Sequence, residues 1–439
     1  MEGIPVPLTD ERLRVRYQAL VKAHMHTATS LAAGPTAVHD GASALAATQA
    51  AWRFFNNEQV TLAALVQPLR QCGAQAARNA SATLLIHDWS KIDYGSHTSK
   101  LDTYALTHAD DVGYELSTAL LVGGDDGSPL APMQMHLKTA DAVHSTGAAP
   151  ARDDHPLEQV LPTMDASRQW GLPAAPVHVI DREADSVDHL RRWDQAGHRY
   201  LVRGDDRLVM WNDREVLLST VVHALQVSSS FAQSREVEFH GKTMRQFVAE
   251  TTVTLHRPAK KKRRDGRSRK VAGAPLTLRL IVAQVRDARG KTVATWMLLT
   301  NVTAADTDAA TIALWYYWRW RIESFFKLLK SAGQQIEQWQ QETGAAIARR
   351  LLVAAMACVT AWQLQRQTSA PAEKMKTLLV RLSGRQMKRP RPCTASALLA
   401  GLFVLLPMLD LLASHGGDLS EIQKLAELTL PMLVSRRDV

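Results

Sequence analysis

Apolar residues recur at a helical period through the first 80 positions and then change period. Between Leu8 and Leu31, Leu13, Tyr17, Leu20 and Val21 alternate with Arg12, Arg14, Arg16 and Lys22, which predicts a helix with a basic outer face. Two more helices are expected over about 43–55 and 61–77, completing a helical domain over 1–80. From about residue 82 short apolar runs take over: 83–87 (TLLIH), 113–121 and 132–138, the last two separated by the turn GGDDGSP. A helix over 156–170, the strand APVHVI ending before Asp181, a helix over 186–196 and the strand RYLVR (199–203) follow. The order β-β-β-α-β-α-β predicts an α/β fold whose mixed sheet sets the ends of distant strands side by side. Strand-type text then dominates 206–302, and helices return from about Asp306. The last region, 341–439, reads as helical, interrupted by Pro371, Pro390 and Pro392 around the basic patch KMKTLLVRLSGRQMKRPR. Its most apolar run, Ala397 to Leu409, contains Pro407 and meets Asp410, which predicts a buried helix followed by a break and no membrane span.

Composition narrows the class. With 439 residues, 46% hydrophobic and 22% charged, the chain is long enough for two or three globular units. A net charge of +9 and a pI near 9.5 favour a polyanionic partner. Cys72, Cys358 and Cys393 stand far apart without metal-site spacing and read as buried thiols in a reducing compartment. The opening MEGIPVPLTDERLRVR lacks the apolar core of a signal peptide, so a cytoplasmic protein is expected.

The chemistry gathers in WYYWRWRIESFFKLLK, residues 315–330. Without Gly or Pro it reads as one helix, on which Tyr316, Arg319, Glu323 and Lys330 share a side. A carboxylate among cations and a ring suits a metal ion held beside a phosphodiester. Asp88 and Asp181 each follow a buried strand, and with Glu323 they supply the hard oxygen ligands that Mg²⁺ (or Mn²⁺) prefers. Two such ions would activate an attacking oxygen and stabilise a leaving one. Each acid also has a plainer reading: Asp88 as a turn residue with Asp93 its rival, Asp181 as a helix cap in DREADS, Glu323 as the i,i+4 partner of Arg319. In AAWRFFNNEQVT (50–61) the rings read as core, whereas Arg53 and the Asn56-Asn57 turn are candidate DNA contacts. The run AKKKRRDGRSRK (259–270) reads as a solvated hairpin tip able to grip a DNA backbone.

Tyr316, Arg319, Glu323 and Lys330 fit the spacing Y-x2-R-x3-E-x6-K, which resembles the insertion-sequence-four family of bacterial DDE transposases. DREAD at 181–185, Arg203, the strand WMLLT at 296–300, WRIESFFKLLKSAG, LTDERL and AAWRFFNN look like further family segments in the family's order, covering most of 8–340. The resemblance implies a ribonuclease-H-like catalytic core with a β-strand insertion, flanked by N- and C-terminal helical regions. Asp88, Asp181 and Glu323 would be the metal ligands, Tyr316, Arg319 and Lys330 would contact phosphates of the transposon end, and Arg203 would join them on DNA. Trp296 falls where the family stacks a flipped base, although it also reads as a core residue of its strand. The text around Asp88, HDWSKIDYGSH, departs from the family's commonest form and keeps Asp93 open. The chain begins almost at LTDERL, so a shortened helical lead-in is expected.

The implied activity is cut-and-paste transposition. Hydrolysis at the terminal inverted repeats would release a 3′-hydroxyl that attacks the opposite strand and then target DNA. Pairing of two ends implies a homodimer, with 341–439 as its interface. A nuclease that only hydrolyses and a noncatalytic DNA-binding derivative are the alternatives. The three acids should converge within reach of a shared metal.

Overall fold

The computed structural model describes residues 8, 10–26, 41–108, 110–151, 155–262, 268–385, 393–414 and 420. It divides into two compact units, one built on Thr61–Phe326 and the other on Leu8–Val60 with the chain from Lys327 onward.

In the first unit the strands are β1 (Thr83–Asp93), β2 (Tyr104–Ala105), β3 (Val112–Gly123), β4 (Pro129–Lys138), β5 (Val143–Ser145), β6 (Val177–Ile180) and β7 (Arg199–Arg203). The insertion adds β8 (Leu208–Trp211), β9 (Arg214–Leu217), β10 (Ala232–Phe239), β11 (Lys242–Leu255), β12 (Ala259–Lys262), β13 (Ser268–Val271), β14 (Leu276–Arg286) and β15 (Thr292–Thr300). Among the described residues all but β12 and β13 form one mixed sheet, ordered β5-β4-β3-β1-β6-β7-β15-β14-β11-β8-β9, with β2 on β3 and β10 on β11. The antiparallel start is as expected: β1 pairs β3 and β3 pairs β4 antiparallel, while β1, β6 and β7 run parallel. Central strands explain the apolar runs, since Leu84, Leu85 and Ile86 are covered on both faces.

The insertion extends this sheet instead of standing apart from it. β15 pairs β7 antiparallel, with Leu298 opposite Arg203. One apolar core accordingly runs from Ile180, Trp193 and Tyr200 into Val253, Leu280 and Leu299. The basic run pairs its flanks, β12 on β13. Its tip, 263–267, lies outside the described residues, as does 386–392 of the later basic patch.

Chain order places one helical pair in the second unit, α1 (Glu11–His26) and α2 (Gly41–Asn56). The first unit then contributes α3 (Leu62–Leu65), α4 (Gln67–Ala77), α5 (Val160–Ser167), α6 (Val187–Gln195), α7 (Leu218–Val227), α8 (Ala309–Tyr317) and α9 (Trp320–Leu329), whose last residues pass into the second unit. The single helix expected over 61–77 is broken at Val66, where Pro68 opens α4 and supplies no backbone donor. α7 was not anticipated; it stands inside text that reads as strand. The second unit ends with α10 (Gly344–Arg366), α11 (Ala370–Leu382) and α12 (Ala395–Ser414).

α10 packs against α1, α2, α11 and α12. It is long and apolar enough to cross a membrane, but its most apolar stretch is 83% buried. At the α11–α12 crossing Gly401 meets Leu379 O so closely that a Cβ would stand 2.1 Å from it. The break expected after the run Ala397 to Leu409 does not occur among the described residues. α12 continues through Pro407 to Ser414, and Val404, Met408 and Leu409 are exposed at 40%, 47% and 48%.

Candidate active site

Strand register sets the first two acids together. β1 and β6 run parallel with His87 opposite Ile180, so Asp88 and Asp181 are the next step along both strands. Asp88 lies inside the 11-residue β1, not at a strand end as expected, because β1 continues to Asp93. Trp89 N–H donates to Asp88 Oδ1 at 2.8 Å. Asp181 caps the short turn Arg182–Ala184, accepting the Arg182 N–H on Oδ1. Tyr316 Oη donates to that same oxygen at 3.1 Å.

The expected single helix over 315–330 is two helices. Between α8 and α9 the bonds Arg319 N–H to Tyr316 O (3.0 Å), Arg321 N–H to Trp318 O (2.9 Å) and Ile322 N–H to Arg319 O (3.2 Å) tighten the backbone to a three-residue turn. Aromatic anchoring accounts for the break. Trp315 Nε1 donates to Gly124 O at 3.0 Å, and the Trp318 ring lies over Gly127, both in the β3–β4 turn. Tyr317 Oη donates to Glu238 O at 2.8 Å, fixing the same segment to β10. Rings expected mainly to pack thus aim the polar residues between them.

Those residues meet at one guanidinium. Arg319 Nη1 stands 3.1 Å from Asp88 Oδ2, and Nη2 stands 2.7 Å from Glu323 Oε1 and 3.5 Å from Asp181 Oδ2. Its side chain is 7% exposed. The three acids therefore converge, but on Arg319. Among the described residues no group of three or more His, Cys, Asp and Glu side chains is arranged to hold a metal ion. The i,i+4 pair and the cap foreseen as plainer readings are both present.

Burial shapes the electrostatics. It pushes the Asp88 carboxyl up to about 6, against the pull of Arg319 and the Trp89 N–H, and with repulsion from Asp181 and Glu323 added. Burial also raises the Tyr316 hydroxyl, helped by the Asp181 charge. For Arg319 burial favours the neutral form, but the neighbouring Asp181, Asp88 and Glu323 outweigh it and strengthen its hold on the proton.

The rival acid is not brought in. Asp93 is exposed at the end of β1, where its Oδ1 accepts the Gly95 N–H at 2.8 Å. Five residues along a strand amount to about 16 Å and reverse the face.

Arg203 ends β7, close enough to Tyr316 for its charge to oppose the rise in that hydroxyl. Trp296 is 8% exposed, with Phe239 edge-on at 6.1 Å and Tyr316 at 6.2 Å between ring centres. Lys330 falls just beyond α9 and, within the second unit, pairs with Glu337 at 3.1 Å. Arg53 is exposed on α2, while Asn56 and Asn57 spend side-chain bonds on Trp52 O and the Gln59 N–H.

Two features were missed in the sequence. Trp320 is 53% exposed, with the Arg319 guanidinium 5.4 Å from its ring centre. Behind Asp88, His87 Nε2 and His178 Nδ1 lie 3.0 Å apart, and His198 Nε2 reaches Asp165 Oδ1 at 2.7 Å. Burial lowers His87 to about 3 and His136 to about 4, and holds His178 well below its ordinary value. The available signal was a histidine inside each of two apolar runs, TLLIH and VHVI.

A family model described as the transposase DDE domain matches residues 84–359, more than half of the chain. The chain belongs to the DDE transposases. The matched span of this DDE transposase takes in Asp88, Asp181, Arg319 and Glu323. No curated protein matches it. Seven chains of solved structures do. One, the cryo-EM structure of a piggyBac transposase synaptic complex with hairpin DNA, has 9% identity, covers 79% of this chain and 59% of that chain, and gives a TM-score of 0.32. The transposase thus spans less than two thirds of the length of that relative.

Proposed function

We propose that this DDE transposase performs cut-and-paste DNA transposition, by hydrolysis at the terminal inverted repeats and 3′-hydroxyl strand transfer into target DNA. The observation that carries the reading is the meeting of Asp88, Asp181 and Glu323, from β1, the end of β6 and α9, around one positive charge. The donor set fits a divalent ion, since all three are carboxylates and two are already oriented by backbone N–H groups. Asp88, Asp181 and Glu323 would hold Mg²⁺ or Mn²⁺, two ions in the full site. When bound, the metal supplies activation of the attacking oxygen and neutralisation of the leaving one.

The remaining work falls to side chains of this chain. Tyr316 holds Asp181 by its hydroxyl and turns its ring toward Trp296. Arg319 and Arg203 bring positive charge to the phosphate, and in the second unit Lys330 and Arg53 are separate candidates for DNA-backbone contact. Trp296 stacks a flipped base in this reading. The insertion-sequence-four signature and the strand order β4-β3-β1-β6-β7, with its antiparallel start and parallel remainder, support a ribonuclease-H-like core over 81–340. In this reading the N-terminal region, 1–80, binds DNA, and 341–439 pairs two subunits, for which the exposed apolar residues of α12 are suited. It acts in the bacterial cytoplasm on nucleoid DNA.

The test uses duplex DNA carrying the inverted repeats that flank the reading frame, with a plasmid target and Mg²⁺. A covalent donor–plasmid product supports transposition, and cleavage without joining supports a simple nuclease. Cleavage undiminished in Glu323→Gln would sink the assignment of the three acids.

A further inference from the structure

The guanidinium of Arg319 occupies the point at which the three acids meet. Asp88 and Asp181 each turn one oxygen to a backbone N–H and the other, Oδ2, to Arg319; Glu323 turns Oε1 to it. The oxygens facing Arg319 are those a divalent ion would share. Mg²⁺ or Mn²⁺ draws its oxygen ligands to about 2.0–2.2 Å. It cannot settle among oxygens already held at 2.7–3.5 Å by a buried cation without displacing that cation.

A second observation concerns what Arg319 leaves unspent. Its Nε–H is buried without a hydrogen-bond partner, a costly state for a charged donor. An arginine presents Nε and a terminal nitrogen as one planar fork, matched to two oxygens of a phosphate. The bonds to the acids use only the terminal nitrogens. Nε is sealed from solvent in this arrangement, so a phosphate takes it only as the guanidinium swings off the carboxylates, and the orphaned donor is then satisfied.

We propose that Arg319 is an internal counter-cation that keeps the acidic trio closed to divalent metal until a DNA phosphate takes the guanidinium. Metal and DNA then bind cooperatively, and each raises affinity for the other by the same factor. A free transposase would load metal poorly and be spared stray hydrolysis. This inference rests on reading Asp88, Asp181 and Glu323 as metal ligands.

Direct Mn²⁺ binding to the full chain, followed by the spin-resonance signal of free Mn²⁺, tests both layers separately. Without DNA, Arg319→Gln is expected to bind Mn²⁺ about tenfold more tightly than the wild type, and Arg319→Lys to fall between them. Arg182→Gln, which removes an exposed cation paired with Asp205 one residue from Asp181, is the control for general charge and should change affinity less than twofold. A short duplex of end sequence should raise the affinity of the wild type toward that of Arg319→Gln and leave that variant unchanged. Equal Mn²⁺ affinity in wild type and Arg319→Gln, or an equal gain in Arg182→Gln, overturns the gate. Adding Glu323→Gln to Arg319→Gln must remove the gained binding; if it does not, the metal-ligand reading fails first. Circular dichroism spectra that match the wild type are required of each variant, and Arg319→Lys carries the comparison if Arg319→Gln does not fold.

Discussion

Trp318 lies over Gly127 so closely that a Cβ at position 127 would stand 2.5 Å from the ring carbon Cδ1. Gly127 also has φ +67, a conformation that costs other residues about 1–2 kcal/mol. Gly127→Ala is therefore expected to lose about 2–4 kcal/mol once ring displacement is included. Urea denaturation measures the loss. Because Arg319 follows Trp318, the variant should also cleave DNA poorly under conditions where it remains folded, and equal cleavage by both proteins would show that the anchor does not aim the site.

Glu323 and Asp93 together test which acids belong to the proposed site. Glu323→Gln should lower Mg²⁺-dependent cleavage by more than about 100-fold, since even the groups that support metal ligands are worth roughly 10–100-fold. Asp93→Asn keeps an acceptor for the Gly95 N–H and should remain within about threefold of the wild type. A rate comparison on one end-containing duplex decides between them.

The fold was legible where one period dominated. Strand RYLVR and the antiparallel opening follow from apolar runs bounded by turns, and the meeting of Asp88 with Asp181 follows from two apolar runs that each lead into an acid, although β1 continues past Asp88. The break at Trp318–Arg319 was not legible, because nothing in WYYWRWRIES weakens a helix locally. Its cause is contact with Gly124 and Gly127 some 190 residues away, as in the Trp315 bond to Gly124 across 191 positions. Spacing puts Arg319 and Glu323 on one face, but only the folded sheet reveals that the guanidinium reaches all three acids.

The buried histidines predict acid lability. His87 and His136 are lowered to about 3 and 4, so the fold favours their neutral forms, and their contribution is whole above the ordinary value of 6.5. It is lost as pH falls from 6.5 toward 4, by roughly 1.4 kcal/mol per pH unit for each histidine held neutral. Asp88, raised to about 6, works in the opposite direction between about 6 and 4, where protonation favours the fold. The histidines outnumber it, so net stability should fall. Denaturant titrations at pH 7, 6 and 5 check the sign, and a flat profile would contradict the burial of the pair His87–His178.

Trp296 has two readings, packing in its strand and the proposed stacking of a base, which two variants separate. Its burial between Phe239 and Tyr316 predicts that Trp296→Ala costs about 3–5 kcal/mol of stability. Trp296→Phe should retain most of that stability while weakening any stacking on an unpaired base. Binding of a duplex with a base-flipped end analogue, compared at equal folded fraction, tests the second reading alone.

The pairing of β15 with β7 makes the insertion a poor candidate for removal. Cutting out 206–302 would strip β7 of its antiparallel neighbour at Leu201, Val202 and Arg203, and would remove the Asn301 and Thr300 side chains that satisfy the Tyr200 backbone, leaving a sticky, apolar margin. Exposed edges of that kind recruit strands from other molecules. The insertion is thus also the unit's protection against self-association, and a shortened enzyme would sooner aggregate than simplify.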